Sequence, residues 1–223
     1  MSKNVFITAT GTDVGKTYVS ALIIKKMREE GYNCGYFKPI LSGVVEKEGK
    51  LIESDCNYVV KEANIPVSAD DCVAYWWKEA VSPHLASVRS GEEIDIARIK
   101  EEFEKKQKQY DYLLIEGAGG ITCPLRLHNG EKYILKDLIK ELESNIIIVA
   151  DGGLGTINST MLTVEYAHIH NINIEGIILN NFNPDSFMHQ DNLKQIEYLT
   201  GIKVIATVEE GQKNIRLLKD CFK

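Results

Sequence analysis

The sequence predicts an α/β protein whose doubly wound, mostly parallel sheet is flanked by helices. Three observations predict it. Strand-like and helix-like segments alternate from end to end. The inner apolar runs carry no polar alternation, as strands buried on both faces do. The first strand leads into a helix with only a glycine-rich turn between them.

Residues 5–9 form a short β-branched and aromatic run, a first strand. Residues 17–30 read as a helix, with Val19, Leu22, Ile23 and Met27 on one face and Gly31 past its end. Residues 33–38 predict a second strand, stopped by Pro39. Residues 54–62 and 94–109 predict helices. The runs 112–115, 146–150 and 174–179 are the buried strands. Helices over 156–170 and 185–199 fit between and after them, and 203–208 is a last strand followed by a short terminal helix. Residues 41–54 and 117–133 are expected as long loops, of a length that is often functional beside a rigid sheet. No repeat or low-complexity tract interrupts the 223 residues, and one domain spanning 1–223 is expected.

Composition narrows the function. Hydrophobic residues at 44% supply a core, and charged residues at 26% are ordinary for a globular chain. A formal net charge of −6 argues against the basic surface that nucleic-acid or acidic-membrane partners need. Cys34, Cys56, Cys72, Cys123 and Cys221 form no C-x-x-C pair, and their spacing suits neither zinc nor a disulfide framework. Free thiols in a reducing cytoplasm are expected. Val5-Phe6-Ile7 is too short an apolar run for a signal peptide, and no run of about 20 apolar residues follows that spans a bilayer.

The strongest motif is Ala9-Thr10-Gly11-Thr12-Asp13-Val14-Gly15-Lys16-Thr17, between the first strand and the first helix. Backbone N–H groups of such a loop hold phosphate oxygens, and the helix N-terminus adds positive partial charge. Lys16 reaches the β- and γ-phosphates, and the Thr17 hydroxyl is a magnesium ligand. Thr10 stands where the common spacing has glycine, so the loop is a variant P-loop, and the fold expected is of the P-loop NTPase type. Glu116 ends a buried strand, where strand C-termini line the ligand crevice, and is the candidate metal carboxylate. The glycines after it are read as room for a ligand to approach. On chemistry alone Asp55 is an ordinary helix-cap residue, Lys38 a lysine at a strand end and Ser82-Pro83 a helix start beside His84. Trp76 and Trp77 are read as packing.

Taken in order, the P-loop, Tyr36-Phe37-Lys38-Pro39-Ile40-Leu41-Ser42-Gly43, Ser54-Asp55, Ser82-Pro83-His84, Glu116-Gly117-Ala118-Gly119-Gly120, Gly155-Thr156-Ile157-Asn158 and Asn180-Asn181 resemble dethiobiotin synthetase. The resemblance covers residue 3 to about residue 210. It implies an ATP-dependent cyclo-ligase that makes dethiobiotin from 7,8-diaminononanoate, CO2 and ATP through a carbamate and a carbamic-phosphoric anhydride. It implies that Lys16 and Lys38 carry catalysis, Lys38 stabilising charge on the carbamate and the transferring phosphoryl. It implies magnesium on Thr17, Asp55 and Glu116. The nucleotide would be contacted by Asp13, Val14, Gly15, Lys16, Thr17, Tyr18, Asp55, Glu116, Gly117, Ala118, Gly119, Asn180 and Asn181. The other substrate would be contacted by Thr12, Ser42, Gly155 and Asn158. His84 is a possible wall of the substrate pocket.

The segment from Asp151 to Asn158 exposes glycine N–H groups and opens a helix, which suits an anion. The resemblance implies that it binds the substrate's far carboxylate from a neighbouring subunit, in a homodimer with shared active sites. Three positions depart from the family pattern: Ala9 for glycine, Asn181 for aspartate and Glu209 for proline, the last two bearing on base selectivity.

Two rival readings stand beside this one. An amide-forming ligase domain of the cobyrinic acid synthase type is expected to need a glutaminase domain for which 223 residues leave no room. A partitioning-type ATPase would carry a further lysine near the loop start, and positions 9–14 contain none.

Overall fold

The computed structural model describes residues 2–127 and 130–217. In chain order its elements are β1 (Lys3–Ala9), α1 (Lys16–Glu29), β2 (Cys34–Ser42), β3 (Val45–Lys47), β4 (Lys50–Glu53) and α2 (Asp55–Glu62). After a single 3-10 turn at Asp70–Cys72 come β5 (Val73–Trp77), α3 (Pro83–Ser90), α4 (Ile96–Gln109), β6 (Tyr112–Glu116), β7 (Pro124–Arg126) and β8 (Tyr133–Ile134). The chain continues with α5 (Leu135–Glu141), β9 (Asn145–Asp151), α6 (Thr156–Ile169), β10 (Ile174–Asn180), α7 (Phe187–Thr200) and β11 (Val204–Thr207).

Seven strands form the central sheet in the order β11-β10-β9-β1-β6-β2-β5. Every pairing in it is parallel, as the predicted doubly wound class requires. Side chains alternate across each strand. Val5, Ile7 and Ala9 of β1 therefore enter one core with α1 and α2, while Phe6 enters the other with α4 to α6. The four residues expected on the inner face of α1 are all buried there. Lys26 and Arg28 in its last turn oppose the negative end of the helix dipole.

β1 is the switch point of the sheet. β6 lies on one side of it and β9 on the other. Its register sets Ile7 against Glu116, and β6 in turn sets Ile115 against Phe37 of β2. The loop after β1, Glu116 at the end of β6 and Lys38 on β2 thus meet at one edge of the sheet.

The structure corrects several expectations. β2 runs through Pro39 rather than stopping there. Its ladder with β6 ends at Phe37, and from Lys38 onward it continues against β5, so β6 asks for no N–H from the proline. Residues 41–54 are not a plain loop but end β2 and hold the antiparallel hairpin β3–β4. Its turn residues Glu48 and Gly49 have φ of 53° and 76°, the sign that tight hairpin turns of matching twist require. Residues 117–133 hold β7, paired with β8. Strand β5, with Trp76 and Trp77 in it, and helices α3 and α5 were not expected from periodicity. Each is eight residues or shorter, too short to show a clear period. Residues 209–217 contain no helix, and the remainder of the expected terminal helix, with Cys221, lies outside the described residues. Among the described residues no helix is long and apolar enough to cross a membrane.

Candidate active site

The loop between β1 and α1 is held in place from behind. Asp13 takes φ of 59° and Gly15 φ of 93°. A Cβ on Gly15 would lie 2.1 Å from Nδ2 of Asn180, so only glycine fits there. Asn180, at the end of β10, donates from Nδ2 to the Val14 carbonyl at 3.1 Å. That bond ties the loop to the far half of the sheet. Lys16 is buried, with Nζ at 3.4 Å from the Gly11 carbonyl oxygen. Burial, then repulsion from Lys38, lowers its pKa below the ordinary lysine value.

Beside the loop sits a charged cluster. Glu116 is fully buried, and Lys38 is 4% exposed. Thr17 donates from Oγ1 to Glu116 Oε1 at 2.7 Å. Lys38 Nζ reaches the same oxygen at 2.7 Å and also pairs with Asp55 Oδ2. Tyr36 donates its hydroxyl to Glu116 Oε2 at 2.9 Å. Burial acts against the Lys38 ammonium, but Glu116 and then Asp55 outweigh it and hold its pKa above the ordinary value. The lysine is a fixed cation. Ser54 is the N-cap of α2, its Oγ accepting from Asn57 N at 3.2 Å. Asp55 is consequently relieved of the capping role that its position first suggests and turns to Lys38.

The cluster floors a cleft of about 1010 Å³, lined among others by Thr12, Asp13, Gly15, Lys16, Thr17, Tyr18, Lys38, Ser42 and Asp55, with Ala118 and Gly119 across from them. That is at the upper end of the roughly 300–1,000 Å³ of small-molecule sites, space for a nucleotide and a second substrate. Its far wall is apolar, from Ile40, Leu41, Val45, Val81 and Pro83. Ser42 Oγ donates to the Val81 carbonyl at 2.7 Å. His84 is not in the wall; its Nδ1 lies 3.0 Å from Ser82 Oγ.

Other predicted site residues lie elsewhere. Val14 and Asn180 form the back of the loop. Asn181, with φ of 52°, donates from Nδ2 to Asp151 Oδ2 at 2.8 Å. Gly155, with φ of 88°, is the N-cap of α6, and it and Asn158 are exposed outside this chain's own cleft. Gly117 is a packing glycine, since a Cβ there would lie 2.8 Å from Phe6 and from Leu135. A Cβ on Gly120 would lie 3.1 Å from the Ala9 carbonyl oxygen. At these two glycines the room a Cβ would take is filled by the protein's own chain, a cause the sequence reading of room for a ligand did not include.

Sequence reasoning gave no role to Tyr36, although it opens a motif of the resemblance, and did not single out Tyr58 or Cys123 for the site. Tyr58 lines the cleft, its ring centroid 6.4 Å from that of Tyr18. Cys123 lines it too. The signal for Tyr36 was present: a hydroxyl two residues before Lys38, hence on the same strand face, in an otherwise apolar run.

A divalent hard cation fits the oxygens gathered here. Magnesium is commonly held by one or two carboxylates, with substrate phosphate and water completing the shell. Among the described residues no group of three or more His, Cys, Asp or Glu gathers to hold a metal. Thr17, Asp55 and Glu116 offer one hydroxyl and two carboxylates, and a bound triphosphate would supply the rest.

A family model described as an AAA domain matches residues 3–214. The chain is 48% identical over 223 residues to the ATP-dependent dethiobiotin synthetase BioD of Brachyspira hyodysenteriae, covering 98% of this chain and 99% of that protein. It is 50% identical over 193 residues to the protein of the same name from Clostridium botulinum strain Okra, covering 86% and 84%. Among solved structures, a ParA family ATPase from Chlorobium tepidum aligns with a TM-score of 0.57 at 11% identity, covering 95% of this chain and 86% of that one. The MinD cell division protein of Aquifex aeolicus aligns at 0.54 and 15% identity, covering 95% and 84%. At such identities the likeness is one of fold.

Proposed function

The chain belongs to the ATP-dependent dethiobiotin synthetase family, and from that premise we propose which of its residues perform the reaction. The activity is ATP-dependent closure of a cyclic urea in biotin biosynthesis. One amine of 7,8-diaminononanoate adds to CO2 and loses a proton to give a carbamate. A carbamate oxygen attacks the γ-phosphorus of ATP and expels ADP. The second amine attacks the carbonyl carbon of the resulting anhydride, and phosphate leaves as the ring closes.

Phosphoryl transfer of this kind needs positioning and positive charge more than covalent help. The P-loop N–H groups and Lys16 hold the β- and γ-phosphates. Lys38 places a permanent cation at the cleft floor, where carbamate and γ-phosphate would meet. Its contact with Glu116, itself bonded to Thr17 of the P-loop, is the observation that carries this assignment. All of Asp13, Tyr18, Ala118, Gly119, Thr12 and Ser42 line the cleft, and we assign the first four to the nucleotide and the last two to the diamine. Thr17, Asp55 and Glu116 hold magnesium, which when bound neutralises charge on the phosphates. Asn180 and Val14 serve the nucleotide indirectly, by fixing the loop.

We further read the protein as a homodimer with shared sites. Gly155 and Asn158 stand outside their own chain's cleft. On the same helix and just before it, Leu154, Leu162 and Ile169 are 93%, 63% and 72% exposed. An apolar stripe of that kind favours a covering surface, and a second copy would bring Gly155 to the substrate's carboxylate. The helix-flanked seven-stranded sheet, built from strands at both ends of the described chain, supports one domain over 1–223. The free Cys34, Cys56, Cys72 and Cys123 suit a reducing cytoplasm.

The test is strict coupling. With ATP and magnesium present, phosphate release should require both the diamine and CO2, and dethiobiotin should appear by mass in step with it. Rapid ATP hydrolysis without diamine, unchanged on its addition, would overturn the proposed roles of Lys38 and the cleft.

A further inference from the structure

We infer that Tyr36 is a positioning residue for Glu116, a role that rests on the reading of Glu116 as a magnesium ligand. Tyr36 and Lys38 are two apart on β2, and Leu114 and Glu116 are two apart on β6. Tyr36 pairs in register with Leu114. All four side chains consequently issue from the same face of adjacent strands. At 1% exposure the Tyr36 ring is packed among the apolar residues of that face, Leu114 and Cys56 among them. Its hydroxyl is the polar end of an apolar side chain, and it meets Glu116 Oε2 at 2.9 Å.

The division of the carboxylate is the point. Oε1 receives Thr17 and Lys38, the two groups nearest the chemistry. Oε2 receives Tyr36, from inside the core. A carboxylate at the end of a strand rotates about its side-chain torsions, and in a dry site each rotation strands an oxygen without a donor. The Tyr36 hydroxyl removes that freedom by satisfying the inner oxygen, and so aims Oε1 outward. Outer partners that orient metal-binding carboxylates act in the same way elsewhere.

Tyr36→Phe tests this, since it removes one oxygen and leaves the packed ring. Manganese would stand in for magnesium, its free concentration counted by electron paramagnetic resonance in the presence of ADP. Glu116→Gln is measured beside it, and circular dichroism and melting confirm that both variants fold. Tyr36→Phe should bind manganese about 10-fold more weakly, the lower end of the effect of such outer partners. Its kcat should fall by a similar factor while KM for ATP stays within about 2-fold, since the P-loop itself is untouched. Glu116→Gln should lose manganese more completely. If Glu116→Gln loses the metal and Tyr36→Phe keeps native affinity and kcat with only a lower melting temperature, Tyr36 is a packing residue and this inference alone fails. If Glu116→Gln binds manganese as the native protein does, the metal reading fails and the inference falls with it.

Discussion

Lys38 Nζ and Thr17 Oγ1 converge on one oxygen, Glu116 Oε1, each at 2.7 Å. Through that oxygen the P-loop and strand β2 are joined although β6 lies between their parent strands. A buried carboxylate needs a cation, and Lys38 is that cation. The same ammonium is then already fixed, without reorganisation, where negative charge develops during transfer.

The two lysines should therefore fail differently. Lys16→Ala should weaken triphosphate binding and abolish turnover. Lys38→Ala should keep triphosphate binding and lose at least about 100-fold in kcat, as removal of one transition-state charge does. It should also lower stability, by about 3–5 kcal/mol if Glu116 stays ionised without its partner. Adding Glu116→Gln should restore part of that stability and none of the turnover. Calorimetric titration with ADP, steady-state kinetics and urea melts measure the three quantities; wild-type kcat in Lys38→Ala would remove the lysine from the mechanism.

The glycines should divide by cause. Gly117→Ala meets Phe6 and Leu135 at 2.8 Å, so it should cost about 1–3 kcal/mol of stability through overpacking. Folded Gly117→Ala should still bind ATP. Gly15→Ala strikes Asn180 at 2.1 Å in a left-handed conformation, and should lose ATP affinity beyond any change in stability. Lost ATP affinity in folded Gly117→Ala would contradict its packing assignment, and native affinity in folded Gly15→Ala would contradict the role given to Gly15.

Cys123 gives a pH-dependent readout of the cleft. Burial raises its thiol pKa to about 11, and nearby Lys16 offsets this only in part. The thiolate is the reactive form. A raised pKa keeps it scarce at neutral pH, so alkylation by iodoacetamide should be slow at about pH 7. The rate should rise close to tenfold per pH unit up to about pH 10, and ATP should slow it. Peptide mass spectrometry locates the label; a rate already level above about pH 9 would mean an ordinary, solvated thiol.

Shared sites should show by complementation. Lys38→Ala and Gly155→Asp should each be nearly inactive, the second through repulsion of the substrate carboxylate. After subunit exchange, a mixed dimer joins the intact Lys38 of one chain to the intact Gly155 segment of the other at one site. Activity per mixed dimer should return towards half. If native mass spectrometry confirms exchange and activity stays at the level of the separate variants, Gly155 acts within its own chain or not at all.

The sequence by itself determined what short windows of chain encode. The P-loop from Gly11 to Thr17, the inward face of α1 and the unalternating runs of β6, β9 and β10 follow from periodicity, glycine placement and burial within about fifteen residues. They suffice for the fold class and for the phosphate site, and Glu116 could be named because it ends such a run, whereas Lys38 was named from the resemblance to dethiobiotin synthetase. What only the tertiary structure decided is which of these ends face one another. β6 inserts between β1 and β2, and that insertion sets Lys38, Tyr36 and Thr17 around Glu116, residues 78 to 99 apart in sequence. The bond from Asn180 to Val14 spans 166 residues. Strand order is a global compromise among all the packed faces, so no local pattern carries it. For that reason Gly117 looked like a ligand glycine, Tyr36 had no role and Asp55 looked like a helix cap until the sheet put each beside its neighbour.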